Sequence, residues 1–247
     1  MAELTSTFVS TRRSPTGEIA RFPWDEMQFE RFSDIGPWRT IRWYKGQQHY
    51  PGWYWSATEA DLVLYESRLE LANLLLCDFD RSVKSIAAQP FFVRTFAEGK
   101  PRTHVPDYLL WSDTGPIVMD VKPRSQLAQP KVAFTLGWVR KLVEDLGWRY
   151  EVASEPDAQT VRNVRFLAGF RRQWLFRPSL VEQLRSGAVD GLRFSDACRA
   201  VPGCEEPIVR ATLLHLMWER VYLVDVGAPL RSSLVLRRKP VLTRNLR

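Results

Sequence analysis

Val105-Pro106-Asp107-Tyr108-Leu109-Leu110-Trp111-Ser112-Asp113-Thr114-Gly115-Pro116-Ile117-Val118-Met119-Asp120-Val121-Lys122-Pro123 is the stretch on which the fold turns. Two apolar runs, Asp107 to Trp111 and Ile117 to Val121, flank a Ser-Asp-Thr-Gly-Pro turn, and Pro123 closes the second, which predicts a β-hairpin. Side chains alternate along a strand, so Asp120 and Lys122 share one face while Met119 and Val121 point into the opposite, apolar one. Asp107, at one end of the neighbouring strand, meets Asp120 if the hairpin register is suitable, bringing two carboxylates and one ammonium to one cleft. Hard carboxylate oxygens suit Mg²⁺, with Mn²⁺ as a substitute, and proteins seldom gather like charges without a cation. Such an ion takes up a phosphate oxygen and a water, and a neighbouring lysine orients that water or neutralises the phosphate. The competing reading is a surface Asp–Lys pair at a strand end, since an isolated D-x-K is common.

Working outward, residues 61–158 read as one α/β unit, a mixed sheet flanked by helices. A strand reaching Tyr65 leads to a helix from Ser67 to about Phe79, with Leu71, Leu74, Leu75 and Asp78 on one face. Glu66, Glu70, Asn73 and Cys77 recur at helical spacing as a polar stripe. Glu70 therefore has two readings: a carboxylate facing the metal cleft, with Glu66 as its substitute, or the third helical position of a capping box opened by Ser67. A strand is expected around Ser85 to Phe96, containing Gln89 in a turn or strand-edge role. A helix from Lys131 to Leu146 and a strand from Trp148 to Ala153 complete the unit. His104 reads as a surface loop histidine and His215, between leucines, as a core one.

Residues 1–60 read as an aromatic and basic arm in which Arg39, Arg42, Trp43 and Lys45 interleave cations with rings, a pattern that grips phosphates and stacks on bases. The alternative is an extended arm whose aromatics pack on the core. Residues 159–236 shift to short Arg-rich helices. A helix from Glu205 to Glu219 and strands at Val221–Val226 and Leu234–Leu236 then predict a winged-helix-like module. The tail, residues 237–247, carries Arg237, Arg238, Lys239, Arg244 and Arg247 without an acid, which suits either a polyanion or solvent. The net charge of +7 lies largely there. No apolar run reaches the ~18 residues of a membrane span, and no apolar segment precedes the first arginines, so a cytoplasmic protein is expected. Three cysteines are too few for a disulfide framework and lack zinc-ligand spacing.

Four blocks occur in order: Tyr65-Glu66-Ser67-Arg68-Leu69-Glu70-Leu71, Ala87-Ala88-Gln89-Pro90-Phe91, His104-Val105-Pro106-Asp107-Tyr108 and Val118-Met119-Asp120-Val121-Lys122-Pro123. Together they resemble the TnsA-like endonuclease subunits of heteromeric transposases, whose core belongs to the PD-(D/E)xK, restriction-endonuclease-like superfamily. The resemblance implies catalytic positions at Glu70, Asp107, Asp120 and Lys122, with Glu70, Asp107 and Asp120 as metal ligands. Asp120 stands where the family often has Glu or Gln, one methylene longer. The resemblance further implies cleavage of the non-transferred strand near the 5′ ends of a transposon. Its implied partners are double-stranded DNA at those ends, an integrase-type (TnsB-like) transposase and an AAA+ ATPase regulator (TnsC-like). An autonomous restriction or repair nuclease and a DNA-binding adaptor with a decayed core are the rival readings.

Overall fold

The computed structural model describes residues 4–28, 32, 34–39 and 50–239. It is a mixed α/β protein with several antiparallel sheets, and the chain divides into two compact units, Met1–Pro156 and Asp157–Arg247. The first holds strands β1 (Leu4–Arg13), β2 (Ile19–Pro23), β3 (Ile35–Gly36), β4 (Gly52–Ser56), β5 (Asp61–Tyr65), helix α1 (Arg68–Phe79), β6 (Val83–Ala88), β7 (Phe92–Ala97), β8 (Lys100–His104), β9 (Tyr108–Ser112), β10 (Gly115–Val121), α2 (Arg124–Leu127), α3 (Pro130–Asp145) and β11 (Arg149–Ala153).

The expected hairpin is β9–β10, with Val118 opposite Leu109 and Met119 opposite Tyr108. Gly115 turns the chain at φ 102°, a conformation that favours glycine. β10 also pairs with β11 in parallel, and since parallel neighbours need a crossover, helix α3 supplies it. The central sheet therefore runs β11-β10-β9-β6. Leu109, Val118 and Tyr150 pack on one face against Trp138, Val139, Leu142 and Val143 of α3 and against Val9, Phe22 and Val93 from a second sheet. Tyr108, pointing the other way, lies beside Glu70 and Cys77 of α1. Helices thus cover both faces.

Two expectations change. The run from Ser85 to Phe96 is two strands in two different sheets: β6 joins the central sheet, and β7 joins the order β2-β1-β7-β8, with β3 also on β1. The break falls at Gln89-Pro90, where Gln89 has φ 47° and Pro90 can give no amide to a ladder. The supposed N-terminal arm supplies β1 to β4, with β1 at the centre of the second sheet. Its inward residues Val9 and Thr11 are buried, so this strand is structural.

A buried carboxylate fastens the β4–β5 hairpin to α1. Asp78 accepts from Tyr54 Oη (2.7 Å), Ser56 Oγ (2.6 Å), Ala57 N (3.0 Å) and Thr58 N (2.8 Å). Within this hairpin the Tyr65 ring covers Gly52, where any side chain would collide with it.

The second unit contains α4 (Ala158–Ala168), α5 (Pro178–Arg185), α6 (Phe194–Ala197), α7 (Glu206–Trp218), β12 (Tyr222–Leu223) and β13 (Arg237–Arg238). Helix α7 buries Val209, Leu213, Leu216 and Met217 against α4 and α5. Strand β12 falls within the expected Val221–Val226, while β13 lies later in sequence than the expected Leu234–Leu236. Residues 232–236 bond to the stretch from Gly191 to Ser195, through Gly191 N–Leu236 O (2.9 Å), Leu236 N–Leu192 O (2.8 Å) and Phe194 N–Leu234 O (2.7 Å). Arg237 and Arg238 are left to pair with Leu223 and Tyr222.

Removing the Asp78 acceptor strands four donors, two of them backbone amides. Asp78→Ala is expected to destabilise the first unit by about 3 kcal/mol, and Asp78→Asn by less, read as a fall in the urea unfolding midpoint. An Ala variant as stable as the parent would refute this anchoring role.

Candidate active site

The register of β9 and β10, continued one step past Met119–Tyr108, sets Asp120 opposite Asp107. Pro106 precedes β9, and the Val121 amide, beyond the last ladder pair, is taken by the Asp107 side chain: Val121 N donates to Oδ2 at 2.6 Å. The same oxygen accepts from Lys122 Nζ at 3.2 Å, and Nζ also donates to Val121 O at 3.0 Å. Both hydrogen bonds of Asp107 fall on Oδ2, so among the described residues Oδ1 is its oxygen without one. Burial pushes the Asp107 carboxyl above its ordinary range; Lys122 opposes the shift and Asp120 reinforces it. Burial works against the Lys122 charge too, but Asp107 and Asp120 beside it keep the ammonium protonated beyond its ordinary range.

Asp120 is fully buried. His104 Nε2 lies 2.9 and 2.8 Å from its two oxygens, and Tyr150 Oη donates to Oδ2. Burial alone would raise this carboxyl, but the His104 contact, then Tyr150 and Lys122, hold it below its ordinary range. His104 is thus no surface loop residue. It ends β8, packs its ring edge-on to Trp138 at 6.1 Å and clamps Asp120. The signal was its place two residues before Pro106-Asp107. Tyr150 carried a fainter one, a polar-tipped ring turned inward between the exposed Arg149 and Glu151 of β11.

Both readings of Glu70 meet in one side chain. Ser67 caps α1, with Glu70 N donating to Ser67 Oγ at 3.1 Å, while Glu70 returns Oε1 to Ser67 Oγ (3.0 Å) and Oε2 to Glu66 N (2.7 Å). The Ser67 cap is real, although the returning backbone bond reaches the Glu66 amide rather than that of Ser67. Yet burial, and Asp107 next to it, push the Glu70 carboxyl up to about 7. Asn73 extends this face: its Nδ2 donates to Leu69 O (2.9 Å) and Ser154 O (3.1 Å), and Ser154 Oγ donates to Lys122 O at 2.7 Å. Helix α1 and strand β11 are thereby fixed to the lysine's own backbone.

Gln89 is buried at the junction of three segments: its N donates to Asp107 O (2.9 Å), its O accepts from Trp38 N (3.1 Å) and its Oε1 from Arg39 N (3.0 Å). Arg39 is exposed and pairs with Glu66 at 3.1 Å. Arg42, Trp43 and Lys45 lie outside the described residues. Of the basic tail, Arg237 and Arg238 belong to β13. Arg238 is fixed by Asp190 Oδ1 and Ser186 O, Lys239 N bonds Val221 O, and residues 240–247 lie outside the described part. His215 is a core residue in the second unit, bonded to Phe170 O and stacked on Phe176.

Among the described residues no group of three or more His, Cys, Asp or Glu is arranged to hold a metal ion. The donor chemistry still matches a hard divalent cation, because Mg²⁺ is commonly held by one or two carboxylates together with substrate phosphates and water rather than by an all-protein cage. Asp107 is the ligand best placed, through Oδ1. Glu70 would have to share oxygens with its cap, and Asp120 would have to do so with His104 and Tyr150. Neither a protein-family model nor a curated protein sequence matches the chain.

Glu70 holds its proton more tightly folded than unfolded, so the stability it contributes is full below the ordinary carboxyl range and drains as pH rises through about 7. Glu70→Gln keeps an acceptor for the cap and removes the titration. In chelator, the variant's urea midpoint should match the parent's at acid pH and exceed it increasingly up to about pH 7. A constant difference across that range would contradict the shifted carboxyl.

Proposed function

We propose that the first unit is a restriction-endonuclease-like, metal-dependent DNA nuclease core. We propose further that the chain is the endonuclease subunit of a heteromeric transposase, cutting the non-transferred strand near the 5′ ends of a transposon. One observation carries the reading: Asp107 and Lys122, flanking the adjacent strands β9 and β10, meet at 3.2 Å, with Asp120 opposite and Glu70 beside them at the head of a helix. That is the Glu, Asp, Asp-x-Lys order of the sequence blocks gathered at one end of one sheet.

When bound, Mg²⁺ would lower the pKa of a water and polarise the scissile phosphate. The chain's own groups divide the remaining work. Asp107 would hold the cation through Oδ1 while Oδ2 stays on Val121 N, a bond that orients the carboxylate by itself. Lys122, kept charged by its two aspartates, faces the accumulating negative charge of the phosphate; electrostatic groups of this kind are worth roughly 2.7–4 kcal/mol of barrier. Glu70, with its raised pKa, is suited to take a proton near neutral pH. Asp120, held by His104 and Tyr150, supplies the fixed negative charge that keeps Lys122 protonated. The second unit, short helices and then an antiparallel strand pair, is proposed as a winged-helix-like module that docks DNA or the transposase and ATPase partners.

A second reading has an observation in its favour. The lack of a three-ligand group among the described residues is also what a DNA-binding adaptor with a decayed core would display. Cleavage decides. With Mg²⁺, duplex DNA carrying transposon ends and the co-encoded transposase, the chain should nick the 5′ side, and little without that partner. An autonomous nuclease would cut alone. Asp107→Asn, which preserves the Val121 contact, and Lys122→Ala should each lower the cleavage rate at least a hundredfold while leaving the unfolding transition in place. Parental rates in both variants would falsify the site.

A further inference from the structure

A cleft of about 300 Å³ opens beside the proposed active site in the first unit. Arg12 and Arg13 from the end of β1, Arg39, Trp53 and Leu64 line it, and among the described residues no carboxylate lines it, although Glu66 holds Arg39 from outside. Trp53 and Leu64 are register partners across the β4–β5 hairpin. Leu64 is buried and forms a floor, while Trp53 stands 53% exposed beside it. The cleft is tied to the site by two chains of contacts. Arg39 pairs with Glu66, whose amide bonds the Glu70 carboxylate, and the Arg39 amide bonds Gln89, whose own amide bonds Asp107 O.

Guanidiniums bind phosphate oxygens, and an exposed indole offers a π-face to any base that can reach it. A base inside a duplex has both faces covered by its neighbours, so stacking on Trp53 requires a nucleotide that has left the stack. We propose that this cleft is a subsite for one unstacked nucleotide of the DNA strand, its phosphate on Arg13 and Arg39 and its base on Trp53. The subsite would grip DNA that is frayed or distorted next to the cut, beyond what a paired duplex offers. The inference rests on the nuclease reading for its choice of DNA as ligand.

Binding without cutting tests it. Fluorescence anisotropy of the full chain in chelator should show a duplex with a short unpaired bubble bound about tenfold more tightly than the same duplex fully paired. Trp53→Ala should erase that preference and Trp53→Phe should restore most of it. Arg13→Gln should weaken both probes alike and reduce the salt dependence of binding. Equal affinities for the two probes, or a preference that survives Trp53→Ala, overturns the subsite. So does competition by poly-glutamate that equals the bubble probe and depends on Trp53, because the cleft then takes an acidic peptide. Cleavage plays no part in this readout. A chain that prefers the bubble yet never cuts keeps the subsite and loses the nuclease, and one that cuts with no such preference does the reverse.

Discussion

The hydrogen bond from Val121 N to Asp107 Oδ2 is the constraint on which the site depends. A backbone amide at the end of a buried strand must find an acceptor, and here a side chain supplies it where the β9–β10 ladder stops. The bond sets the Asp107 carboxylate at the sheet's end, facing Lys122, and its second oxygen takes no hydrogen bond among the described residues. Everything nearby follows from that placement. Asp120, one register step beyond the last paired residues, is brought opposite a second carboxylate, and two acids on one buried surface need compensation.

That compensation is distributed unequally. Asp120 receives a histidine, a tyrosine hydroxyl and the field of the lysine; Asp107 receives the lysine and one amide. One carboxyl is held below its ordinary range and the other above it, although both are buried at the same sheet end. Adjacent acids driven apart in this way take different roles. Asp120 is the fixed charge, and Asp107 the one whose charge still lacks full neutralisation.

How far this was legible in the sequence follows from how local each cause is. The β9–β10 hairpin could be read because alternation, Gly115 and Pro123 all act within a few residues, and Ser67 with Glu70 announced the cap of α1. Strand β1 could not. Its Leu4–Arg13 run is mostly Ser, Thr and Arg, and although it forms a hairpin with β2, its place inside a sheet comes from pairing with β7, far along the chain, which no local pattern marks. The split between β6 and β7 hid for a related reason: Gln89 keeps its place by accepting Trp38 and Arg39 amides from a distant loop. His104 was misread because its partner lies one strand pair away, in a different sheet.

The Glu70 cap and the proposed catalytic Glu70 are not rivals once energies are considered. A capping carboxylate is ordinarily exposed and ionised, and bonds from the Glu66 amide and the Ser67 hydroxyl lower its pKa. In this chain both bonds exist, and the carboxyl is nevertheless raised, because burial and Asp107 outweigh them. The cap fixes where the group sits; burial, with the neighbouring aspartate, fixes how readily it gives up its proton. A positive charge arriving at Asp107 would relieve both acids together, so their proximity is what would draw a cation, or a cationic partner, to this end of the sheet.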